Sequence, residues 1–243
     1  MWGGAEPSQV GSIPIRPRQR PGRRRDLRGA AQDVKTARGS DPAYTEPASA
    51  AVIAKVAAAL ESNNIEAVVV DTGEEARRRI LELLPAGAEV HSGVSKTLQD
   101  LGLFAELHDS GHFDSVRTRY LKMDRATQSR EIRKLSSAPD FMLGSVQALT
   151  EEGALVVASY SASQLGPYAS GAGRVLLVVG SQKIVPDLEA AMRRIDEHVF
   201  PYEDARLRAA LGVGTKKAKV LIINAEARPG RTTVFLVREP VGV

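Results

Sequence analysis

The stretch GRVLLVVG, residues 173–180, constrains this chain more than any other. Val175 to Val179 are apolar without interruption, and glycines bound the run. Such a run fits a strand buried on both faces, and strands of that kind belong to parallel sheets covered by helices on each side. The segments before it keep the matching rhythm. Pro47 suits a first helical position, and ASAAVIAKVAAALESNN places Val52, Val56, Ala59 and Leu60 on one helix face. IEAVVVD (65–71) reads as a strand. EEARRRILELL reads as a helix with acids in its first turn, ended by Pro85. AEVHSG (88–93) is a further strand, and SKTLQDLGL a further helix. Alternating helices and strands predict a single α/β domain with a three-layer parallel sheet.

The second half is more varied. DRATQSREIRKLSSA (124–138) is a polar helix with Ile132 and Leu135 as its apolar contacts. FMLGS begins a strand after Pro139-Asp140. Thr150-Glu151-Glu152-Gly153 is a tight turn into the strand ALVVASYS, so an antiparallel hairpin is added to the parallel sheet. SASQLGPYASG is a small-residue loop. Asp187 to Phe200 is a helix stopped by Pro201, and Glu203 to Leu211 a second helix. KVLIINA and TTVFLVRE are strands joined through Arg228-Pro229-Gly230-Arg231, which reads as a hairpin connection. Residues 103–123 give no clear element.

Charge divides the chain. Residues 1–50 hold 9 Lys and Arg against 5 Asp and Glu, which leaves 24 of each sign in 51–243. The net charge of +4 is therefore a property of the Arg/Pro-rich tail, residues 1–45, whose composition predicts disorder. The tail reads either as an arm for nucleic acid or anionic lipid or as a dispensable extension. The balanced domain gives no charge argument for a polyanion, so nucleic acid ranks last among partners. The absence of cysteine excludes thiol catalysis and thiolate ligation of zinc or iron–sulfur clusters by this chain, and fits a reducing cytoplasm. No run approaches a membrane span, and no secretory leader is evident.

Two local patterns bear on chemistry. Ser92, Gly93, Ser95 and Thr97 lie where a strand turns into a helix, a place where hydroxyls and N–H groups can meet an anion. The spacing is not that of a P-loop, and Ser95 reads equally as a helix N-cap. His108 and His112 are four residues apart, but no third ligand is apparent. A surface turn is the better reading, and no metal or cofactor is assigned.

Taken in order, VHSGVSKTLQDLGL (90–103), PDFMLGSVQALTEEGALV (139–156), SYSASQLGPYASGAGRVLLVVGSQKIVPDLEAAMRRI (159–195) and GRTTVFLVREPVG (230–242) resemble the LUD-domain family. This family is also called DUF162 and contains the C component of bacterial lactate utilisation. The resemblance runs from about Ala51 to Val243, within a domain that spans residues 46–243. It implies a fold of the isomerase/CoA-transferase-like superfamily. It also implies a role beside iron–sulfur partner proteins in oxidation of L-lactate to pyruvate. The alternative is a stand-alone enzyme on a phosphorylated, folate or CoA-linked small molecule. Many short members carry a cysteine-rich segment before the closing strands, which this chain lacks. Glu151 resembles the acidic residue of the CoA-transferase E-x-G element and is the catalytic candidate; otherwise it is a solvated hairpin carboxylate. Ser163, Gln164 and Lys183 complete the candidate ligand site with Ser92, Gly93, Ser95 and Thr97. A small anionic ligand and a homodimer are the other expected partners.

Overall fold

The computed structural model describes residues 44–243. The tail expectation for residues 1–45 therefore falls almost wholly outside the described residues.

Helix α1 (Ala50–Ser62) starts where the Ser49 hydroxyl accepts the Val52 N–H, and it buries Ile53, Val56 and Leu60. The inner face thus runs through Ile53, with Val52 only partly buried. Strand β1 (Glu66–Val70) leads to α2 (Gly73–Leu83), capped by Thr72, with Glu74 and Glu75 against its N-terminal dipole. Strand β2 (Glu89–Ser92) is followed by α3 (Lys96–Asp100) and α4 (Leu103–Asp109). The stretch left open by sequence thus holds α4, the short strand β3 (Asp114–Ser115) and α5 (Val116–Leu121). The polar helix α6 (Ser129–Ser137) precedes β4 (Phe141–Gly144).

Strands β5 (Ala148–Thr150) and β6 (Leu155–Ser159) form the antiparallel hairpin. Gly153 makes its turn at φ 86°, packed against the backbone of α1 at Ala59 and Leu60, where a side chain would be both strained and crowded. A π turn (Pro167–Gly171) leads to β7 (Arg174–Gly180), and a 3₁₀ turn (Ser181–Lys183) to β8 (Ile184–Val185). Helix α7 (Leu188–Arg194) passes through a π segment (Ile195–Val199) into α8 (Phe200–Leu211). Pro201 does not stop the helix as expected. It has no N–H to donate, and the widened turns just before it absorb the lost hydrogen bond. Strands β9 (Lys219–Ile223) and β10 (Thr232–Val237) close the chain.

Six strands make a parallel sheet in the order β1-β10-β7-β4-β2-β3, with β7 third in line. Its alternate residues feed two cores. Val175, Leu177 and Val179 pack toward α1 and the second sheet, while Leu176 and Val178 pack toward α2, α3 and α4. Val175 to Val179 are all fully buried; each contributes about 1.5–3 kcal/mol relative to an exposed position. The second sheet runs β8-β5-β6-β9.

The closing strands do not form the expected hairpin. β10 inserts between β1 and β7, whereas β9 pairs antiparallel with β6. Their composition explains the parting. Val234 to Val237 are apolar on both faces and the whole strand is buried, so it needs an interior place in the sheet. KVLII leaves Val220 and Ile222 exposed, which suits an edge.

Candidate functional site

Three neighbouring strands of the parallel sheet end at one place. β2 and its turn deliver Thr97, β4 delivers Ser145, and β7 delivers Lys183. Carboxyl ends of parallel strands are where open α/β sheets hold ligands. Here they floor a cleft of about 330 Å³. One wall is the Gly93–Thr97 corner, another the loop with Ser159, Ser163 and Gln164, and a third the helix through Ile195, Val199 and Tyr202. The corner and the loop face each other closely, since a Cβ on Gly93 would lie 3.7 Å from the Gln164 Cβ.

Lys183 is the group with most chemistry. Its side chain is 1% exposed. Nζ donates to Thr97 Oγ1 at 2.8 Å and to Ser145 Oγ at 3.0 Å. Among the described residues no carboxylate lies within salt-bridge distance of it. Burial, and then the positive charge of Arg194, bring its pKa down to about 7, and Asp100 opposes them. Arg194 is itself fully buried. It donates through Nη1 to the Gln147 carbonyl, and its Nε and Nη2 have no partner among the described residues. Arg194 thus acts on Lys183 as a like charge, and among the described residues neither makes a salt bridge.

Ser145 is half-buried and opens on the cleft. The residue before it is held by Tyr168: a Cβ on Gly144 would sit 1.6 Å from the phenol oxygen, so only glycine fits. That phenol accepts the Ser145 backbone N–H, and burial pushes its pKa up. The rim is basic in part. Lys217 pairs with Asp196 at 2.5 Å and Lys96 with Asp100, while Lys216 is exposed beside them.

The structure therefore gathers Gly93, Ser95, Thr97, Ser163, Gln164 and Lys183 around one cleft. Ser95 also caps α3, its Oγ accepting the Leu98 N–H. Two sequence candidates lie elsewhere. Ser92 points to the helix side of the sheet, fully buried, with its hydroxyl 2.7 Å from His108 Nε2. Glu151 sits at the hairpin turn by α1, where it accepts from Lys55 Nζ at 2.7 Å. Its strand runs in the second sheet, so its end does not reach the cleft floor.

His108 and His112 also diverge. His108 lies between Ser92 and Ser115, with Nδ1 2.7 Å from the Ser115 hydroxyl, whereas the exposed His112 contacts Glu106. Burial, with Arg117 nearby, lowers the pKa of both His91 and His108 to about 4.

Sequence reading missed Ser145, Tyr168 and Arg194. Ser145 had a signal, because it directly follows an apolar strand in a parallel pattern. Arg194 had none, since it looks like one more charge on an amphipathic helix.

The family model described as LUD domain matches residues 53–237. Among solved structures the chain is similar to a DUF162 family protein from Deinococcus radiodurans. The identity is 13% and the TM-score 0.45, over 79% of this chain and 99% of that one. It is also similar to eIF2B beta from Chaetomium thermophilum, at 12% identity and a TM-score of 0.30, over 47% and 42% of the two chains. No curated protein matches it. Among the described residues no helix is long and apolar enough to cross a membrane.

Proposed function

This chain belongs to the LUD-domain family, and we propose that it binds a small anionic metabolite, a carboxylate or phosphate, at the carboxyl ends of β2, β4 and β7. The observation behind this reading is the Lys183 amine, buried with hydroxyls as its partners and repelled by the charge of Arg194. A lone ammonium taken out of water costs several kcal/mol unless an opposite charge meets it. An anion in the cleft removes that cost and returns Lys183 to its charged form. Ser145 and Gln164 then supply hydrogen bonds that fix its orientation.

In the setting of the family, the ligand is a 2-hydroxy or 2-oxo carboxylate. The process is oxidation of L-lactate to pyruvate beside iron–sulfur partner proteins. A second reading, a stand-alone enzyme on a phosphorylated, folate or CoA-linked small molecule, is favoured by the 3.0 Å contact of Ser145 with Lys183. Thermal-shift and NMR titrations with L-lactate, pyruvate and inorganic phosphate test the binding. Saturable stabilisation, lost in Lys183→Met, is expected. No shift with any of the three would remove the reading. Retention of iron–sulfur proteins by the tagged full chain, from cells grown on lactate, tests the partnership.

A further inference from the structure

The geometry points to Ser145 and Lys183 as a nucleophile and its general base for acyl transfer, acting on a small ester or thioester that carries an anionic group. The anionic group rests on the binding reading above and, in this reaction, meets the basic rim at Lys216 rather than the Lys183 amine, which stays neutral to act as base; the pair itself rests on geometry. Ser145 Oγ and Lys183 Nζ are 3.0 Å apart, within reach for proton transfer. Neither is free to drift. Tyr168 holds the Ser145 backbone and closes over Gly144. Lys183 is enclosed on a 3₁₀ turn, and Thr97 Oγ1 grips its amine from the other side at 2.8 Å. Thr97 is itself buried, whereas Ser145 opens on the cleft, so Ser145 is the hydroxyl that meets substrate.

A structural role explains this lysine poorly. A buried amine held only by two hydroxyls is usually less stable than an apolar side chain of its size. A base for a serine hydroxyl, in contrast, needs what this site gives: burial, no carboxylate in salt-bridge distance among the described residues, and a positive charge acting on it. Arg194 favours the neutral amine and Asp100 opposes it. An amine poised near neutral pH takes a proton well.

The steps balance. Ser145 Oγ adds to the acyl carbon, the carbonyl π pair moves to its oxygen, and the Ser145 proton passes to Lys183 Nζ. The oxyanion then collapses, the bond to the alcohol or thiol breaks, and that leaving group takes the proton from Lys183. Water, deprotonated by the same amine, attacks the acyl-serine. It releases the carboxylic acid and restores both side chains.

The test uses the full chain with a fluorophosphonate and with p-nitrophenyl acetate, followed by intact mass and peptide mapping. One adduct per chain, on Ser145, is expected. It should be absent in Ser145→Ala and formed at least ten-fold more slowly in Lys183→Met and Lys183→Arg. Arginine keeps the charge and cannot act as base, so it separates base from charge. The wild-type labelling rate should rise with pH through a midpoint near 7. With circular dichroism showing each variant folded, three results overturn the pair. They are an adduct on another residue, Ser145 labelling as fast in Lys183→Arg and Lys183→Met as in wild type, or no labelling by either probe. Phosphate or pyruvate binding by the wild-type chain, with labelling absent throughout, sinks the pair and spares the binding reading. Labelling without any anion binding does the reverse.

Discussion

Replacing Lys183 by Met should stabilise the unliganded protein while abolishing its use of the cleft. The folded-state pKa of Lys183 is about 7, against 10.5 for an exposed lysine. At about 1.4 kcal/mol per unit, this difference corresponds to on the order of 5 kcal/mol disfavouring the charged form in the fold. Methionine has a similar shape and no charge to desolvate. It loses the bonds to Thr97 and Ser145, at about 1 kcal/mol each, and leaves two hydroxyls less well partnered. A net gain of roughly 2 kcal/mol at pH 7 remains. The pH dependence gives the sharper check. Between pH 7 and 10.5 the unfolded chain holds the Lys183 proton and the folded chain has released it, so wild-type stability climbs with pH across that window. Lys183→Met lacks that contribution. Its advantage over wild type should be greatest at and below pH 7 and should fade as pH nears 10.5. Urea unfolding of both proteins at several pH values reads this directly, and taking their difference cancels the other titrating groups. A variant less stable than wild type at pH 7 with an unchanged m-value, or a difference flat with pH, would refute the argument.

Acid should act through the two buried histidines. His91 and His108 titrate near 4 in the fold and near 6.5 unfolded, so the unfolded chain binds more protons between these values. Stability should fall as pH drops from 6.5 toward 4, by up to about 3 kcal/mol for each, and His108→Gln should flatten the fall in urea titrations. Gly144→Ala drives a methyl into Tyr168 and should cost about 1–3 kcal/mol by overpacking; the penalty should shrink when Tyr168 is also made Ala, as a double-mutant cycle will show. Glu151→Gln removes only a partly exposed ion pair with Lys55 and should cost less than about 1 kcal/mol. Anion binding, followed by thermal shift, should be unchanged in that variant.

The amino-acid pattern determined the layers of this protein. Unbroken apolar runs such as Val175–Val179 call for burial on both faces, and helix caps such as Ser49, Thr72 and Ser95 act within a few residues of themselves, so both are legible locally. The pattern also located the Gly93–Thr97 corner and the Ser163-Gln164 loop, because strand-to-helix turns and small-residue loops have their own composition. Tertiary structure decided where each element went. β9 and β10 look like hairpin partners in sequence, yet burial on both faces draws β10 to the interior while β9 takes an edge. Glu151 matched a catalytic pattern, yet its hairpin belongs to the second sheet. Thr97 and Ser145 lie 86 and 38 residues before Lys183 in sequence, and only the order β7-β4-β2 brings the three together. A lysine after an apolar strand looks like a surface residue until that order encloses it. The perturbed amine at the centre of this site is a property of the packing around Lys183, because desolvation depends on what the fold places beside a group.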